Sequence, residues 1–441
     1  MGALRYVPPL EPGFSPLIPI LCRAADQRRA SVVWAADGGT DEISFCCAGQ
    51  TGARVYERLF KFLLWQHGGA CAQLRGFPQA ARRMIEQEYA PGGRCAFDYD
   101  FFSNVYGRPF SVSASSAPPA VSSAPRSRRL RAGYDGCRIG LDVGATAIKV
   151  WAGLDGRETF SQSYPWQPRR HGDLDYHETE LARALAAAAR TLPRTDSVGV
   201  STAGIIQDSQ CLVASLFTAV DAGAFKRRGR DLFVRAAKAT GAARVVVCND
   251  GDAAAAAAYV LYGKKGVLGL SMGSSLAAGF VDGSGGLTDY ISELAFAPVD
   301  LQPGAPIDPW SGDSGTGVDY FSAQAVLRYA AAAGIEFEPG LDNGEKTARV
   351  NRLFSQGDAR AKMVYDTIGI CLGYSIPLYR YFYGMDSVLL LGGVTSGKAG
   401  AHIAAQARMI LRTEFGDDTE LFLPDERLRL TGQAQIVAAL P

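Results

Sequence analysis

The residues best suited to do chemistry lie in one short segment, residues 140–149, with the sequence GLDVGATAIK. An apolar strand is predicted to end here on the carboxylate of Asp142, and Gly144 and Thr146 follow before the apolar run resumes at Ile148. This spacing predicts a hairpin turn with Asp142 at its mouth and with the amide and hydroxyl of Thr146 available to a ligand. Such a turn is suited to hold a nucleotide phosphate and its metal ion.

A second carboxylate ends another predicted strand. Residues 245–248 are an apolar run that leads to Asn249 and Asp250, and an alanine-rich helix is predicted to follow. Acidic side chains at the ends of two strands indicate phosphoryl transfer, which needs a positioned metal ion and a proton acceptor. Either Asp250 or Asp252 could instead cap the helix. We interpret Asp250 as the catalytic carboxylate and Asp252 as the cap.

From about residue 137 onward, predicted strands alternate with predicted helices, which is typical of a layered α/β structure. Strands are predicted at residues 138–143, 147–153, 157–163, 197–201, 244–248, 266–271, 277–281 and 387–391. Helices are predicted at residues 178–191, 229–240, 252–262, 322–333, 359–383 and 399–415. The combination of strand, hairpin and acid occurs around Asp142 and again around residues 271–281, so we expect two similar halves with a cleft between them.

The N-terminal part of the chain has a different pattern. Two apolar runs flank Asp37 and predict a hairpin, and a helix with one apolar face follows it. We predict that residues 1–110 form a small α+β module of unknown role. Residues 111–134 are rich in serine, proline and arginine and are predicted to be a linker. Two lobes are then expected at residues 135–255 and 256–441, and the C-terminal helix is allowed to return to the earlier lobe.

The composition excludes several classes of protein. The 441 residues carry 45 basic and 44 acidic side chains, a balance that argues against broad binding to nucleic acid or to anionic membranes. No apolar run approaches the roughly 18 residues of a membrane span. Nine scattered cysteines without a Cys-x-x-Cys pair indicate buried thiols in a reducing compartment, so the cytoplasm is the expected location. The four histidines are too scattered for a Ser-His-Asp or histidine–metal site.

Three segments in a fixed order carry a resemblance to a known family. They are GLDVGATAIK at residues 140–149, VCNDGDAAAA at residues 247–256 and LLLGGVTSG at residues 389–397. They resemble the first phosphate motif, the Asn-Asp catalytic segment and the adenosine motif of the ROK family (repressors, open reading frames and kinases). The chain resembles a divergent member of this family that lacks the zinc motif. The resemblance covers roughly residues 137–441, and the spacing makes it specific because each segment alone is usually only a turn.

Membership of this group implies an actin/hexokinase-type fold, with two RNase H-like lobes around a nucleotide cleft, and ATP and Mg²⁺ as cofactors. Asp250 is then expected to accept the proton of the attacking hydroxyl, and Asn249 to hold a neighbouring hydroxyl. Asp142 is expected to orient Mg²⁺ through water, because this ion keeps much of its hydration and takes only one or two carboxylates. Residues expected to contact the nucleotide are Gly144, Thr146, Gly392 and Gly393.

The second phosphate loop of the family is altered in this chain. Residues 270–276 read LSMGSSL, which keeps Gly273 and has Met272 where the family has a threonine. Fewer glycines restrict the approach of the backbone to phosphates, whereas the hydroxyls of Ser274 and Ser275 supply hydrogen-bond donors that compensate. We therefore expect Gly273, Ser274 and Ser275 to contact the nucleotide.

The sugar-binding motif is altered as well. Glu293 is present as the acid expected to bind vicinal hydroxyls, but Phe296 replaces the family histidine and is expected to pack. The cysteine cluster of the zinc segment is missing, and residues 308–322 take its place. We expect Asp308, Asp313 and Asp319 to stabilise this loop through turn hydrogen bonds, and Asp319 also to contact the substrate.

Two functions are consistent with these residues. The first is an ATP- and Mg²⁺-dependent kinase of the ROK type that acts on a hydroxyl of a sugar or a sugar-like polyol. The alternative is a ROK-like sugar-sensing regulator that has kept the fold and lost turnover, although residues 1–110 do not read as the winged helix of ROK repressors. The expected partner is a small sugar or polyol, and nucleic acid is not expected to be one. The sequence does not decide whether the chain forms a homodimer.

Overall fold

The computed structural model describes residues 4–18, 27–36, 39–48, 51–118, 126–425 and 432–441. Asp37, at the predicted hairpin tip, lies outside the described residues. The chain divides into two compact units. The first unit contains Met1–Arg126, Leu270–Ala277 and Ser292–Leu423, and the second unit contains Ser127–Gly269, Ala278–Ile291 and Pro424–Pro441.

The described secondary structure is mixed α and β, as predicted. The strands are β1 Gln27–Ala36, β2 Gly39–Ala48, β3 Cys71–Arg75, β4 Ser111–Ser115, β5 Ser127–Arg129, β6 Cys137–Val143, β7 Ala147–Leu154, β8 Arg157–Pro165, β9 Ser197–Thr202, β10 Ile205–Gln207, β11 Gln210–Val213, β12 Arg244–Asn249, β13 Val267–Met272, β14 Leu276–Val281, β15 Gly286–Thr288, β16 Ser387–Leu391 and β17 Glu420–Phe422. The helices are α1 Ala53–His67, α2 Gln79–Glu88, α3 Ala96–Tyr106, α4 Leu174–Ala189, α5 Ala222–Ala224, α6 Leu232–Lys238, α7 Asp250–Tyr262, α8 Val318–Phe321, α9 Ala323–Ala332, α10 Asn343–Ser355, α11 Ala359–Tyr383, α12 Lys398–Ile410 and α13 Gln433–Ala438.

In the first unit, the N-terminal hairpin belongs to a four-stranded sheet with the order β2-β1-β3-β4. The hairpin register pairs Ser31 with Ser44 and Val33 with Glu42, which confirms the predicted hairpin. Helix α1 and the sheet share an aromatic core with α11, in which Phe62 stacks on Tyr379 with ring centroids 5.9 Å apart and Phe45 contacts Phe382 edge-on. Residues 1–110 therefore share a core with the C-terminal part of the first unit.

The segment predicted as a linker is paired at both of its described ends. Strand β4 pairs in parallel with β3, and Leu74 lies opposite Ala114. Strand β5 pairs antiparallel with β15 in the second unit, and Arg128 lies opposite Leu287. The serines and arginines of this segment thus supply edge strands, where polar side chains face solvent.

The second unit is built on a five-stranded sheet with the order β12-β9-β6-β7-β8. Strands β12, β9 and β6 are parallel, whereas β6, β7 and β8 form an antiparallel meander. Apolar side chains of this sheet, among them Ile139 and Val198, pack against Leu181 and Leu185 of α4 and against Leu232 of α6. The carboxyl ends of β6, β9 and β12 lie side by side, and the predicted phosphate turn and catalytic segment follow β6 and β12.

Two glycines allow a helix to pack directly on this sheet. A Cβ atom on Gly140 would lie 1.8 Å from the carbonyl oxygen of Ala434, and one on Gly199 would lie 1.8 Å from that of Val437. Both carbonyls belong to α13, which comes from the C-terminal end of the chain and lies in the second unit with residues 127–269. The last helix of the chain therefore packs on the sheet of the second unit.

Two further predictions concern the membrane and the cysteines. Within the described residues, none of the helices combines the length and apolarity that a membrane span requires. Eight cysteines are described, all as free thiols, and most of them are buried.

Candidate active site

The turn that was predicted to hold phosphate is a hairpin turn at the end of β6. Asp142 lies opposite Lys149 in the antiparallel β6–β7 pair, and the amide of Gly144 donates to the carbonyl of Ala147 at 3.0 Å. The indole of Trp166 donates to the carbonyl of Gly144 at 2.8 Å and fixes the turn from the side. Thr146 is exposed and nothing crowds Gly144, so the turn offers an open surface next to Asp142.

The Asp142 carboxylate is mostly covered, with 14% of its side chain exposed. One of its oxygens lies 2.9 Å from Nζ of Lys149, whose side chain is 64% exposed. A pair with such an exposed lysine is worth little in stability, because water competes for both groups. The second oxygen of Asp142 remains available to a ligand.

Asn249 and Asp250 join β12 to α7. Asn249 is the N-cap residue of α7, and its Oδ1 accepts from the amide of Gly251 at 2.7 Å. Its Nδ2 donates to the carbonyl of Gly204 at 2.6 Å. The side-chain oxygen of Asn249 also accepts from the backbone amide of Asp252, so this side chain is held by backbone groups on both sides.

Asp250 is the first residue of α7 and is partly buried. Burial raises the pKa of its carboxyl, the nearby amide of Gly251 opposes the rise, and the negative charge of Asp142 adds to it. The structure thus brings the two predicted acids close enough to interact. A carboxyl with a raised pKa at a strand end is suited to accept a proton, because its basicity is closer to neutral pH.

Asp252 has the structural role predicted for it. Its carboxylate accepts from the amide of Asn249 and completes a capping box at the start of α7. Asp252 is buried, and this burial raises the pKa of its carboxyl to about 8, against the opposing effect of the Asn249 amide. The carboxyl is therefore largely protonated at neutral pH.

The alanine-rich sequence of α7 follows from close packing on strand backbone. A Cβ on Gly251 would lie 2.3 Å from the carbonyl oxygen of Ala278, and one on Gly279 would lie 2.4 Å from Cα of Asp252. A Cβ on Gly269 would lie 2.6 Å from the amide nitrogen of Ala255. Only small residues fit at this contact, so Asp250 is presented from a helix whose position is fixed.

In the first unit, the structure brings together the second loop and the predicted adenosine motif. Gly392 has a φ of +103°, and a Cβ placed on it would lie 2.4 Å from the carbonyl oxygen of Met272. The amide of Gly273 donates to the carbonyl of Ser275 at 2.9 Å, which closes a tight turn and leaves Ser274 and Ser275 exposed. The Met272 side chain is fully buried, so it anchors this turn in the core.

Gly393, next to Gly392, is exposed, and no atom lies within 4 Å of where its Cβ would be. Its carbonyl accepts from Nδ2 of Asn351 at 3.0 Å, and Asn351 in turn accepts from the hydroxyl of Tyr365. Asn351 was not identified from the sequence, because it lies in α10, a helix that the apolar periodicity did not reveal.

Glu293 is held in the first unit by the C-terminal end of α1. The amides of Ser292 and Glu293 donate to the carbonyls of Gln66 and Trp65, each at 2.9 Å. Ser292 has a φ of +47°, a left-handed conformation that a non-glycine residue adopts at a cost. Phe296 packs on Trp65 with ring centroids 4.8 Å apart, as predicted for the residue that replaces a histidine.

Asp319 lies at the end of the loop of residues 308–322. Its carboxylate accepts from the hydroxyl of Thr316 at 3.0 Å, and burial raises its pKa to about 6. Asp308 accepts from the amide and hydroxyl of Ser311 at 2.7 and 2.6 Å, which are the turn hydrogen bonds predicted for this residue.

Asp313 differs from the prediction of turn hydrogen bonds. Its carboxylate instead forms ion pairs with basic side chains of the N-terminal part of the chain. Its carboxylate lies 2.8 Å from Arg58, 2.7 Å from Lys61 and 3.2 Å from Arg94. Lys61 also pairs with Asp98 at 2.9 Å. The cluster contains four cations and four anions: Arg54, Arg58, Lys61, Arg94, Glu57, Glu88, Asp98 and Asp313.

Helix α1 therefore supports both predicted substrate-binding residues of the first unit. It holds the backbone of Glu293 through its last carbonyls, and it fixes the loop that leads to Asp319 through Arg58 and Lys61. Sequence reasoning missed this support, since apolar periodicity places α1 without indicating what its buried charges contact.

Solved structures share this fold. A ROK hexokinase from Thermus thermophilus is 22% identical, with a TM-score of 0.53 over 68% of this chain and 97% of that chain. A ROK glucokinase from Streptomyces griseus, solved with glucose and AMPPNP, is 21% identical, with a TM-score of 0.50 over 69% of this chain and 98% of that chain. A ROK family transcriptional regulator described as a homologue of the E. coli MLC protein is 16% identical, with a TM-score of 0.53 over 77% of this chain and 83% of that chain.

No protein-family model and no curated protein matches the sequence. The chain thus has the actin/hexokinase-type fold of the ROK sugar kinases, and the resemblance inferred from its three motifs is confirmed at the level of the fold. Both kinases and a regulator have this fold, so the fold alone does not select between the two functions.

Proposed function

We propose that this protein is a ROK-type kinase that transfers the γ-phosphoryl group of ATP to a hydroxyl of a sugar or a sugar-like polyol. The observation that carries the proposal is the pair of carboxylates at the carboxyl ends of β6 and β12 in one sheet, where burial first and the charge of Asp142 in addition raise the pKa of Asp250. Asp250 would accept the proton of the attacking hydroxyl, and Asp142 would face the metal.

The residues around Asp142 fit a magnesium ion. The site offers a carboxylate oxygen, the hard type of ligand that Mg²⁺ prefers, and a neighbouring carboxylate whose repulsion a divalent cation relieves. When bound, the ion would neutralise charge on the phosphates of ATP. Asp142 would hold it through water, while Lys149 keeps the other carboxylate oxygen in place.

The residues assigned to the nucleotide offer backbone and hydroxyl groups. In the second unit, the open turn at Gly144 and Thr146 would contact phosphate. In the first unit, Gly273, Ser274 and Ser275 would contact phosphate, and Gly392 and Gly393 would lie against the adenosine. The exposed hydroxyls of Ser274 and Ser275 support this assignment, because they can donate where the family threonine is absent.

The sugar would be bound by Asn249, Glu293 and Asp319. The side-chain NH2 of Asn249 has a second N–H that can donate to a hydroxyl, and each carboxylate can accept hydrogen bonds from hydroxyls. The pKa of Asp319, raised to about 6 by burial, leaves it mostly ionised at neutral pH and therefore mostly an acceptor. Phe296 packs against aromatic rings, so the hydrogen bond that the family histidine can make to a sugar would be absent.

The proposal is tested by offering the purified full chain a panel of aldohexoses, amino sugars and polyols with ATP, in the presence and absence of magnesium. We expect ADP formation that requires both magnesium and one class of sugar. ADP formation that is independent of every sugar would contradict the proposal.

A sugar-sensing regulator is the second candidate. It is favoured by the similarity to a ROK transcriptional regulator and by the buried Met272 in the second phosphate loop. Calorimetry on the same panel separates the two functions, because a regulator would bind a sugar without forming ADP.

The pH dependence of turnover provides a prediction for Asp250. A base must be deprotonated to act, so a raised pKa moves the acidic limb of the kcat/KM profile to higher pH than an ordinary aspartate would give. Asp142→Asn removes the negative charge that contributes to the rise, so the acidic limb of its residual activity should move to lower pH. An unchanged limb would show that Asp142 does not act on the base.

Gly392 provides a second prediction with a matched control. Gly392→Ala would force a Cβ to within 2.4 Å of Met272 at a positive φ, which costs at least about 1 kcal/mol and displaces the adenosine segment. We expect the Kd for ATP, measured by calorimetry, to rise by at least roughly tenfold. Gly393→Ala adds its Cβ to open space and should leave both stability and the Kd for ATP nearly unchanged. Equal effects of the two substitutions would contradict the assignment.

A further inference from the structure

The second unit contains a cavity that the proposed kinase site does not use. It has a volume of about 520 Å³, within the range of small-molecule sites. Basic side chains dominate its lining, which includes Arg128, Arg129, Arg131, Lys238 and Arg244; the acidic side chain of Asp208 and the last residue, Pro441, also line it. Such a concentration of positive charge is unexpected in a chain whose 45 basic and 44 acidic residues nearly balance.

The cavity lies at the other end of the sheet from the predicted catalytic residues. Arg244 is the first residue of β12, and Asn249 is its last. The lining continues along β12 as far as Val246, which lies three residue steps, or roughly 10 Å, from Asn249, and none of the residues assigned to catalysis, nucleotide or sugar lines the cavity. The cavity is thus a separate site.

Four of these cations, Arg129, Arg131, Lys238 and Arg244, form no ion pair with another residue of the described part of the chain. Arg128 donates from Nη1 to the neutral hydroxyl of Ser209 at 2.8 Å, and its buried Nε has no partner within the described residues. Arg138 lies close by, and its pKa is lowered first by burial and next by the positive charge of Arg244. Mutual repulsion among unpaired cations is a condition that a bound anion relieves.

We propose that this cavity binds a small molecule that carries at least two phosphate groups. Arginine side chains bind phosphate through paired N–H donors, and three or more of them around one cavity favour a ligand with more than one phosphate. Ser209 holds Arg128 in place and accepts from the backbone amide of Val247 at 3.1 Å, so one of the donors is already positioned before a ligand binds. A concave site of this volume favours a small ligand over the extended backbone of a nucleic acid.

The test uses inorganic pyrophosphate as the probe and the full chain without magnesium, and it measures the Kd by calorimetry. We expect saturable binding to the wild-type protein. Arg131→Gln and Arg244→Gln should each weaken it by roughly tenfold, since each removes charge-assisted hydrogen bonds. Both side chains are exposed and have no described ion-pair partner, so the variants should fold, which circular dichroism verifies. The matched control is Arg157→Gln, an exposed arginine of the same unit outside the cavity, which should bind pyrophosphate like the wild type.

Three outcomes would overturn the proposal. One is the absence of saturable binding to the wild-type protein, and another is an equal affinity in Arg131→Gln, Arg244→Gln and the control. The third is a loss of affinity in Thr146→Val or Ser274→Ala without a loss in the cavity variants, because pyrophosphate would then occupy the proposed nucleotide site. The proposal does not depend on kinase activity, so its failure and that of the proposed function are distinguishable.

Discussion

Asp250→Asn is expected to lower kcat for phosphoryl transfer by about 10²–10⁴-fold, the usual contribution of a general base. Asparagine keeps the size of the side chain and cannot accept the proton of the attacking hydroxyl. The Kd for ATP should stay nearly unchanged, because Asp250 is assigned to the proton and not to the nucleotide. Initial rates of ADP formation and calorimetry with ATP measure the two quantities separately.

Asp252→Asn is the matched control for this prediction. Asp252 lies two residues further along α7, and its carboxyl, with a pKa raised to about 8 by burial, is largely neutral at pH 7. Asparagine is close in shape to a protonated aspartate and can accept the hydrogen bond of the Asn249 amide. We therefore expect near-normal kcat and stability. Retained turnover in Asp250→Asn, or an equal loss in the two variants, would contradict the assignment of the base.

Asp313→Asn is expected to lower the free energy of unfolding by about 3–5 kcal/mol, the usual cost of removing one partner from a buried ion pair. The side chains of Asp313, Arg58 and Lys61 are at most 6% exposed, so water cannot replace the lost carboxylate. The substitution leaves a cluster with four basic and three acidic side chains. Urea unfolding followed by circular dichroism measures the change.

The stability effect of Asp313 should depend on pH. Arg58 and Lys61 hold the pKa of this carboxyl below its ordinary value, against the effect of burial. A lowered folded-state pKa gives stability that is present above the unfolded-state pKa, about 3.9, and is lost as the pH falls through the folded-state value. The difference between the wild type and Asp313→Asn should therefore shrink below about pH 4.

An exposed ion pair provides the control. Arg183 pairs with Glu180 on α4, and its side chain is 52% exposed. Arg183→Gln should change the free energy of unfolding by less than about 1 kcal/mol. If Asp313→Asn changed the free energy of unfolding as little as this control does, the cluster would not hold the loop of residues 308–322. The claim that α1 supports Asp319 would then be contradicted.

The sequence predicted the parts of the fold whose signals are local. Apolar periodicity placed α11 at Ala359–Tyr383, and the turn at Gly144 and the strand end at Asn249 were located from residue types alone. These features depend on contacts between near neighbours in the chain. The cap role of Asp252 is also local and was predicted from its position in the first turn of α7.

Other features depend on contacts between distant residues, and for these the sequence carried a weaker signal or none. The bonds between Asp313 and α1 join residues that are far apart in the chain, and nothing in either segment specifies the other. Helix α10 has a capping box formed by Asp342 and Glu345, a signal that is present in the sequence but lacks an apolar run to support it. The strands at the ends of the predicted linker form only because neighbouring strands supply their partners.

The most direct test of the central claim is transfer of label from γ-³²P-ATP to a sugar by the full chain in the presence of magnesium. We predict that labelled sugar phosphate and ADP form in equal amounts, and that Asp250→Asn abolishes both while Asp252→Asn retains them. ADP formed without labelled sugar, or a sugar that binds without any ADP being formed, would contradict the account of this protein as a sugar kinase.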